Sequence, residues 1–303
     1  MSRRAAAAAR DLLDGAGLTA SFLARDLDSG LEIAHEPDRP LPAASLAKVP
    51  LAAAVLDAIE RGVITAGHPV VVPPGLIDSA GPTGLTRFRH PATIAAEDLV
   101  SLAVTISDSA AADALQELIG AEAAPALLAR WGVEGWELRS SQAELARTPL
   151  ERVEPADATL VQVAAIAAAS RGGGHPIAQL DGGRASTVTA RGGVDLLAAL
   201  WRSPWASTAT AARLRAMLGA SVIRQRMAPD LESEDARWSS KTGTVLTLRH
   251  EMGVVEHRSG ARVALAMLTR SSVPMTVQPA ADATMGAAAR LLIDAVRDLD
   301  LGG

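Results

Sequence analysis

Strand-like patterns stand at the two ends of this chain, and the long stretch between them reads mainly as helix. Near the start, "TASFLARDLDSGLEIAHE" (19–36) alternates apolar and polar residues around Asp28-Ser29-Gly30, the pattern of a β-hairpin. From residue 241 the period changes again. "GTVLTLRHEMGVVEH", the turn Arg258-Ser259-Gly260 and "ARVALAMLTRSS" read as adjacent strands, followed by a closing helix over roughly 280–298. Between the ends, Ser45 to Gly62 has helical spacing, with Val49, Ala53, Leu56 and Ile59 on one face. Pro50 is tolerated best near a helix start, which puts Ser45 within a residue or two of the first turn. Helical patterns recur over 96–131, broken at "TISDSAA" and at Gly120, and over 156–170, 194–202 and 208–219. The first residues, "MSRRAAAAARDLLDGAG", read as a helix with Leu12 and Leu13 facing inward. The economical solution is one sheet assembled from both ends of the chain with the helical block inserted between them, an α+β fold.

Composition narrows the functions. A net charge of −5 without any basic run argues against nucleic-acid binding, and two Phe, five Trp and no Tyr give no stacking platform. Trp131, Trp136, Trp201 and Trp205 read as core or domain-contact residues. The absence of cysteine excludes disulfides, thiolate zinc sites and a cysteine nucleophile. The six histidines have no metal-ligand spacing, His250 and His257 read as strand-surface residues, and no metal or organic cofactor is expected. Five alanines before Arg10 are too short an apolar run for a signal peptide, and no later run is long enough to span a bilayer. The expectation is a cytoplasmic monomer without membrane contact, or a secreted or periplasmic one if a leader has been removed.

Of the twenty-nine basic residues, only two are lysines. Lys48 follows Ser45 by three residues in "AASLAKVP", and Lys241 opens "KTGT". A Ser three residues before a Lys is a weak signal alone, and an isolated lysine is normally a solvated surface charge. Both lysines nevertheless fall in short motifs, and "SDS" (107–109) lies between them. A serine hydroxyl attacks poorly until a neighbour takes its proton. A desolvated amine can do so, whereas a guanidinium cannot shed its proton at usable pH. Positions three apart share a helix face, so Lys48 lies within reach of the Ser45 hydroxyl.

The order Ser-x-x-Lys, Ser-Asp-Ser, Lys-Thr-Gly resembles that of serine β-lactamases and penicillin-binding proteins. "ASLAKVPLAAAVLDAIERG", "LVSLAVTISDSAAADALQELIG" and "KTGTVLTLRHEMGVVEH" are similar to class A β-lactamase segments, a likeness spanning most of the chain except about 145–185. The resemblance implies a sheet domain (1–44 and 205–303), an inserted helical domain (45–204) and an active site in the cleft between them. It implies that Ser45 is the acylated nucleophile and Lys48 its proton acceptor, directly or through a water. Ser107 would relay a proton to the leaving nitrogen, and Asp108 would hold the loop. Lys241 would orient Ser107 and attract a substrate carboxylate. Thr242 would hydrogen-bond that carboxylate, with Gly243, Thr244 and Arg249 completing the binding stretch. The backbone N–H groups of Ser45 and Thr244 would form the oxyanion hole.

Three features depart from the family pattern. Ser109 replaces the usual asparagine, whose side-chain amide contacts the substrate's acylamino group and the lysine, and its shorter hydroxyl cannot make both contacts. In "LRSSQAELAR" (138–147), Glu144 sits two positions later than the family's deacylating glutamate, and Gln142 occupies the expected slot. Glu144 is thus a candidate water-activating base or an exposed helix-face carboxylate. Ser107 to Lys241 spans 134 residues, longer than the family's usual interval, with the surplus between 147 and 186. The expected activity is hydrolysis of a carboxylate-bearing small molecule, a β-lactam first. An intracellular amidase, esterase or biosynthetic acyltransferase is the alternative within enzymes, and a non-turnover lactam-binding sensor the alternative outside them.

Overall fold

The third strand from the N-terminal edge of the main sheet explains the plainest run in the chain. Arg262–Ser271 reads as nearly continuous apolar residues because both of its faces are covered. Val263, Leu265 and Met267 point into one core, while Ala264, Ala266 and Leu268 point into the other. The computed structural model describes residues 2–74, 83–139, 175, 177–272 and 278–301.

In chain order the described elements begin with helix α1 (Ser2–Gly15), strands β1 (Leu18–Asp26), β2 (Glu32–His35) and β3 (Leu41–Pro42), and the 3-10 turn Ala44–Ala47. Helix α2 (Lys48–Glu60), strands β4 (Pro69–Val72) and β5 (Ala92–Ala95), helices α3 (Ala96–Thr105), α4 (Ser109–Ile119) and α5 (Ala123–Trp131), and strand β6 (Trp136–Glu137) follow. After them come β7 (Thr187–Val188), α6 (Ala190–Trp201), α7 (Ala209–Gly219), α8 (Ala228–Leu231), β8 (Ala236–Val245), β9 (Leu248–His257), β10 (Arg262–Ser271) and α9 (Pro279–Leu301).

The five-stranded sheet runs β2-β1-β10-β9-β8, antiparallel throughout, with Phe22 opposite Met267 and Lys241 opposite Met252. The strands from the two chain ends therefore meet in mid-sheet, and the antiparallel sheet with terminal helices stands as the sequence suggested. Helices α1 and α9 cover one face, where Leu13, Phe22, Trp238, Met285 and Leu292 are buried together. The other face is covered by α6, whose Gly193 lies so close that an added Cβ would sit 3.1 Å from Ala266 Cβ and 3.3 Å from Met252 Sδ. That second core continues into the helical block around α2, which is buried at every position from Lys48 to Leu56. A helix buried all round must be apolar all round, and the one charged residue in that run is Lys48. Among the described residues, no helix is long and apolar enough to cross a membrane.

Two local expectations need correction. Leu13 is fully buried with Ala9 one turn before it, but Leu12 is 44% exposed, because neighbouring helical positions point about 100° apart. His250 is not a surface residue. Strand β9 lies between β8 and β10 with helices on both faces, and the imidazole is fully buried. It accepts the Thr269 N–H at Nδ1 (3.1 Å), so the proton sits on Nε2, which donates to the Pro42 carbonyl at 2.9 Å. Burial pushes its pKa down to about 4. His257, at the strand end, is partly buried.

Candidate active site

Ser45 lies in the 3-10 turn that leads into α2, and Lys48 is the first residue of that helix. Pro50 falls in the first helical turn, where its missing N–H costs no intrahelical bond. The turn is seated on β8. A Cβ on Gly243 would meet the Ala43 carbonyl at 3.1 Å, Leu46 Cγ at 3.2 Å and Ala44 Cβ at 3.3 Å. Glycine in the Lys-Thr-Gly stretch is therefore what lets the Ser45 turn approach the strand. Ala44 takes a left-handed φ of 48° immediately before Ser45.

The second wall is the loop between α3 and α4. Asp108 caps α4 by accepting the Ala111 N–H at 3.1 Å, and its other oxygen accepts the Leu85 N–H at 2.5 Å. That double anchor holds the loop, as a structural aspartate would. Ser107 is held at a φ of 61°, a left-handed conformation that costs a non-glycine residue about 1 kcal/mol or more.

Both lysines reach this loop. Lys48 Nζ donates to the Ser107 carbonyl at 2.5 Å, to Ser109 Oγ at 3.0 Å and to Ser107 Oγ at 3.4 Å. Lys241 Nζ donates to Ser107 Oγ at 2.9 Å and to the Thr242 carbonyl at 2.7 Å. Both amines are buried, whereas Ser45, Ser107 and Ser109 are partly exposed, so the hydroxyls form the mouth and the charges lie behind them. Ser107 Oγ accepts from both lysine amines, which leaves its own hydrogen as a donor. Ser109 keeps the contact to Lys48 despite being shorter than asparagine. Helical spacing alone brings Lys48 within reach of Ser45. Among the described residues no hydrogen bond joins Ser45 Oγ to Lys48 Nζ, because the amine already meets three acceptors, two on Ser107 and one on Ser109 at the start of α4.

Burial is the main force on both lysines. It pushes Lys48 down to about 8, partly opposed by Asp108 and Asp113. Lys241 is pushed well below the usual lysine range by burial, then by the charges of Lys48 and Arg226, with Glu251 opposing. Two amines meeting at one hydroxyl titrate as a coupled pair.

Thr242 is buried and Thr244 exposed. Thr244 Oγ1 accepts a hydrogen bond from Arg226 Nη2 at 2.9 Å, so its own hydrogen faces away from the guanidinium. Arg226 is a residue that sequence reasoning missed, since nothing marks it among twenty-seven arginines. Arg249, expected in the binding stretch, is buried, paired with Asp282 Oδ1 at 3.2 Å and bonded to Gln278 at 3.0 Å. Arg226 shares the same carboxylate oxygen at 2.9 Å. Glu251, also missed, is fully buried and accepts from Trp238 Nε1, Ser240 Oγ and the Met227 N–H. Its pKa is raised by burial. Glu144 and Gln142 lie outside the described residues.

The arrangement is suited to moving a proton away from one serine and toward a leaving group near another. The chain is similar to known proteins over nearly its whole length. The model of the beta-lactamase enzyme family matches residues 4–296. A curated relative, the beta-lactamase regulatory protein BlaB of Streptomyces cacaoi, is 48% identical over 300 residues, covering 95% of this chain and 96% of the relative. Among solved structures, a mutant of PBP-A in acyl-enzyme complex with penicillin G superposes with a TM-score of 0.75 at 19% identity, covering 98% of this chain and 97% of that one. The beta-lactamase of Sphaerobacter thermophilus gives 0.74 at 22% identity over 97% of each chain. At such identities the two structures establish the fold.

Proposed function

Since this chain belongs to the beta-lactamase enzyme family, we propose that it binds a β-lactam, is acylated on Ser45 and hydrolyses the resulting ester. The observation that carries this reading is the meeting of Lys48 and Lys241 at the Ser107 hydroxyl, beside the Ser45 turn seated on Gly243. In the proposed sequence, Ser45 Oγ attacks the lactam carbonyl and its proton passes to Lys48, directly or through a water. The carbonyl oxygen becomes an oxyanion held by the N–H groups of Ser45 and Thr244, each worth about 3–4 kcal/mol. As the C–N bond breaks, the Ser107 hydroxyl protonates the nitrogen, and Lys48, carrying the proton taken from Ser45, restores its hydrogen. The substrate carboxylate lies against Lys241, Thr242 and Thr244, with Arg226 aligning the Thr244 hydroxyl behind it. Water, activated by Glu144 in this reading, then cleaves the ester and regenerates Ser45. The cleft between the sheet domain and the inserted helical domain, 45–204, is the proposed seat of these steps.

A second reading is favoured by one observation, the regulatory name carried by the relative at 48% identity. There the acyl-serine persists and reports the presence of a β-lactam. A chromogenic cephalosporin and intact mass after penicillin, with Ser45→Ala as control, separate the cases. Sustained turnover supports hydrolysis, while a single stoichiometric adduct lost in Ser45→Ala supports the sensor. No adduct refutes β-lactam acylation and leaves the amidase, esterase or acyltransferase reading.

A further inference from the structure

One carboxylate beside the site has no part in the chemistry above. Asp113 lies four residues after Ser109 on α4, and residues four apart on a helix share a face. Ser109 accepts from Lys48, so that face is turned toward the amine. Lys48 and Asp113 line the same small cavity, about 40 Å³ in volume, where Gln116, Arg139 and Ser186 are the other polar residues among the described lining. The rest of the lining is apolar, Leu51, Ala112 and Leu138 among it, and a space of that size with polar groups on one wall has room for one or two waters.

Among the described residues, the charges facing Lys48 come from three places. β8 contributes Lys241, the stretch after β6 contributes Arg139, and the loop and helix α4 contribute Asp108 and Asp113. Both oxygens of Asp108 are committed to the backbone N–H groups of Ala111 and Leu85. Lys48 meanwhile has three acceptors, which suits an ammonium and leaves no nitrogen lone pair for the Ser45 proton. We propose that Asp113 is a positioning residue that acts as a brake on the Ser45 reaction. Its carboxylate, sharing the cavity with Lys48, holds that amine in the ammonium form. The proposal rests on the reading of Ser45 as the acylated residue. Burial pushes Lys48 toward neutrality and Asp113 is one of the two charges that oppose it, in agreement with the geometry.

The two lysines make a direct test possible, because the chain has no others. Lysine labelled with carbon-13 at Cε gives two side-chain signals in the full-length protein, assigned with Lys241→Arg. In Asp113→Asn the Lys48 midpoint should fall by about one pH unit, a modest effect for removing one charge from the shared cavity. Asp113→Glu should restore it, and Asp113→Ser is read in the same way where the amide variant does not fold. Ser45 acylation by a chromogenic cephalosporin at pH 6 should become about three- to tenfold faster in Asp113→Asn, since more of the amine is neutral. A Lys48 midpoint that stays in place or rises overturns the proposal, as does slower acylation with a lowered midpoint. The titration needs no substrate. A wild-type chain that forms no adduct therefore counts against β-lactam acylation, while the Lys48 midpoint still decides the role of Asp113.

Discussion

Replacing Asp282 by asparagine removes the carboxylate that two buried guanidiniums share. Arg226 and Arg249 are each 1% exposed, and their nearest nitrogens lie 2.9 and 3.2 Å from the same oxygen. At an effective dielectric of about 20, those separations correspond to gross attractions of about 6 and about 5 kcal/mol. Much of that offsets the cost of taking three charges out of water. Removing one member from a buried ion pair nevertheless costs about 3–5 kcal/mol, because the remaining charges stay buried without compensation. The side-chain amide of Asp282→Asn still offers an acceptor to Arg226, and Glu251 also acts on that guanidinium. The expected loss is therefore near the lower end, about 3 kcal/mol. With a urea dependence of about 3 kcal/mol per molar for a chain this long, the denaturation midpoint should fall by about 1 M. Asp235→Asn serves as the control, since the Arg258–Asp235 pair is almost fully exposed and should change stability by less than about 1 kcal/mol. If Asp282→Asn and Asp235→Asn shift the midpoint equally, the two guanidiniums do not depend on that carboxylate and the reasoning fails.

Three further outcomes follow from the same geometry. His250 has a folded pKa of about 4 against an ordinary 6.5, so the unfolded chain binds the proton more readily between those values. Its stabilising contribution is complete above pH 6.5 and lost progressively down to pH 4, about 3 kcal/mol in all. Urea midpoints from pH 7 to 4 should fall less steeply in His250→Gln, and parallel curves would contradict this account. Gly243→Ala forces the Ser45 turn back by a few tenths of an ångström. It should cost about 1–3 kcal/mol and slow Ser45 acylation about tenfold or more, read by thermal melting and adduct formation. Ser107→Gly and Ser107→Ala both remove the hydroxyl, but only glycine relaxes the left-handed backbone. The glycine variant should be the more stable by about 1 kcal/mol in urea.

The sheet was legible because its strands differ in period from the block between them, and because β10, covered on both faces, leaves little polarity to confuse the pattern. The motif residues were legible through scarcity, two lysines standing out where arginine is the rule. Arg226 and Asp282 were not, since a buried ion pair uses residue types that normally face water and no local pattern announces it. His250 was misplaced for a related reason. A polar residue in a strand suggests solvent, and only the acceptor at Pro42 and the donor at Thr269, both remote in sequence, make its burial tolerable. Asp113 carried no signal because its relation to Lys48 depends on α4 lying across α2. Helical spacing put Lys48 within reach of Ser45, but spacing says nothing about where stronger acceptors stand, and Ser107 and Ser109 took the amine.

The pairing of β1 with β10 sets a schedule for synthesis. Phe22 must wait for Met267, 245 residues later, before its neighbour in mid-sheet exists. At about 5–20 residues added per second, that interval is about 12–50 s, during which β1 and β2 form at most an isolated hairpin. The nascent chain therefore leaves the ribosome with half a core exposed, and its yield in cells should depend on chaperones and translation speed more than on final stability. Chains arrested at residue 260 should be degraded by added protease across the 18–35 hairpin, whereas released full-length chains resist. Equal resistance in both would show that the early strands find shelter without their late partner.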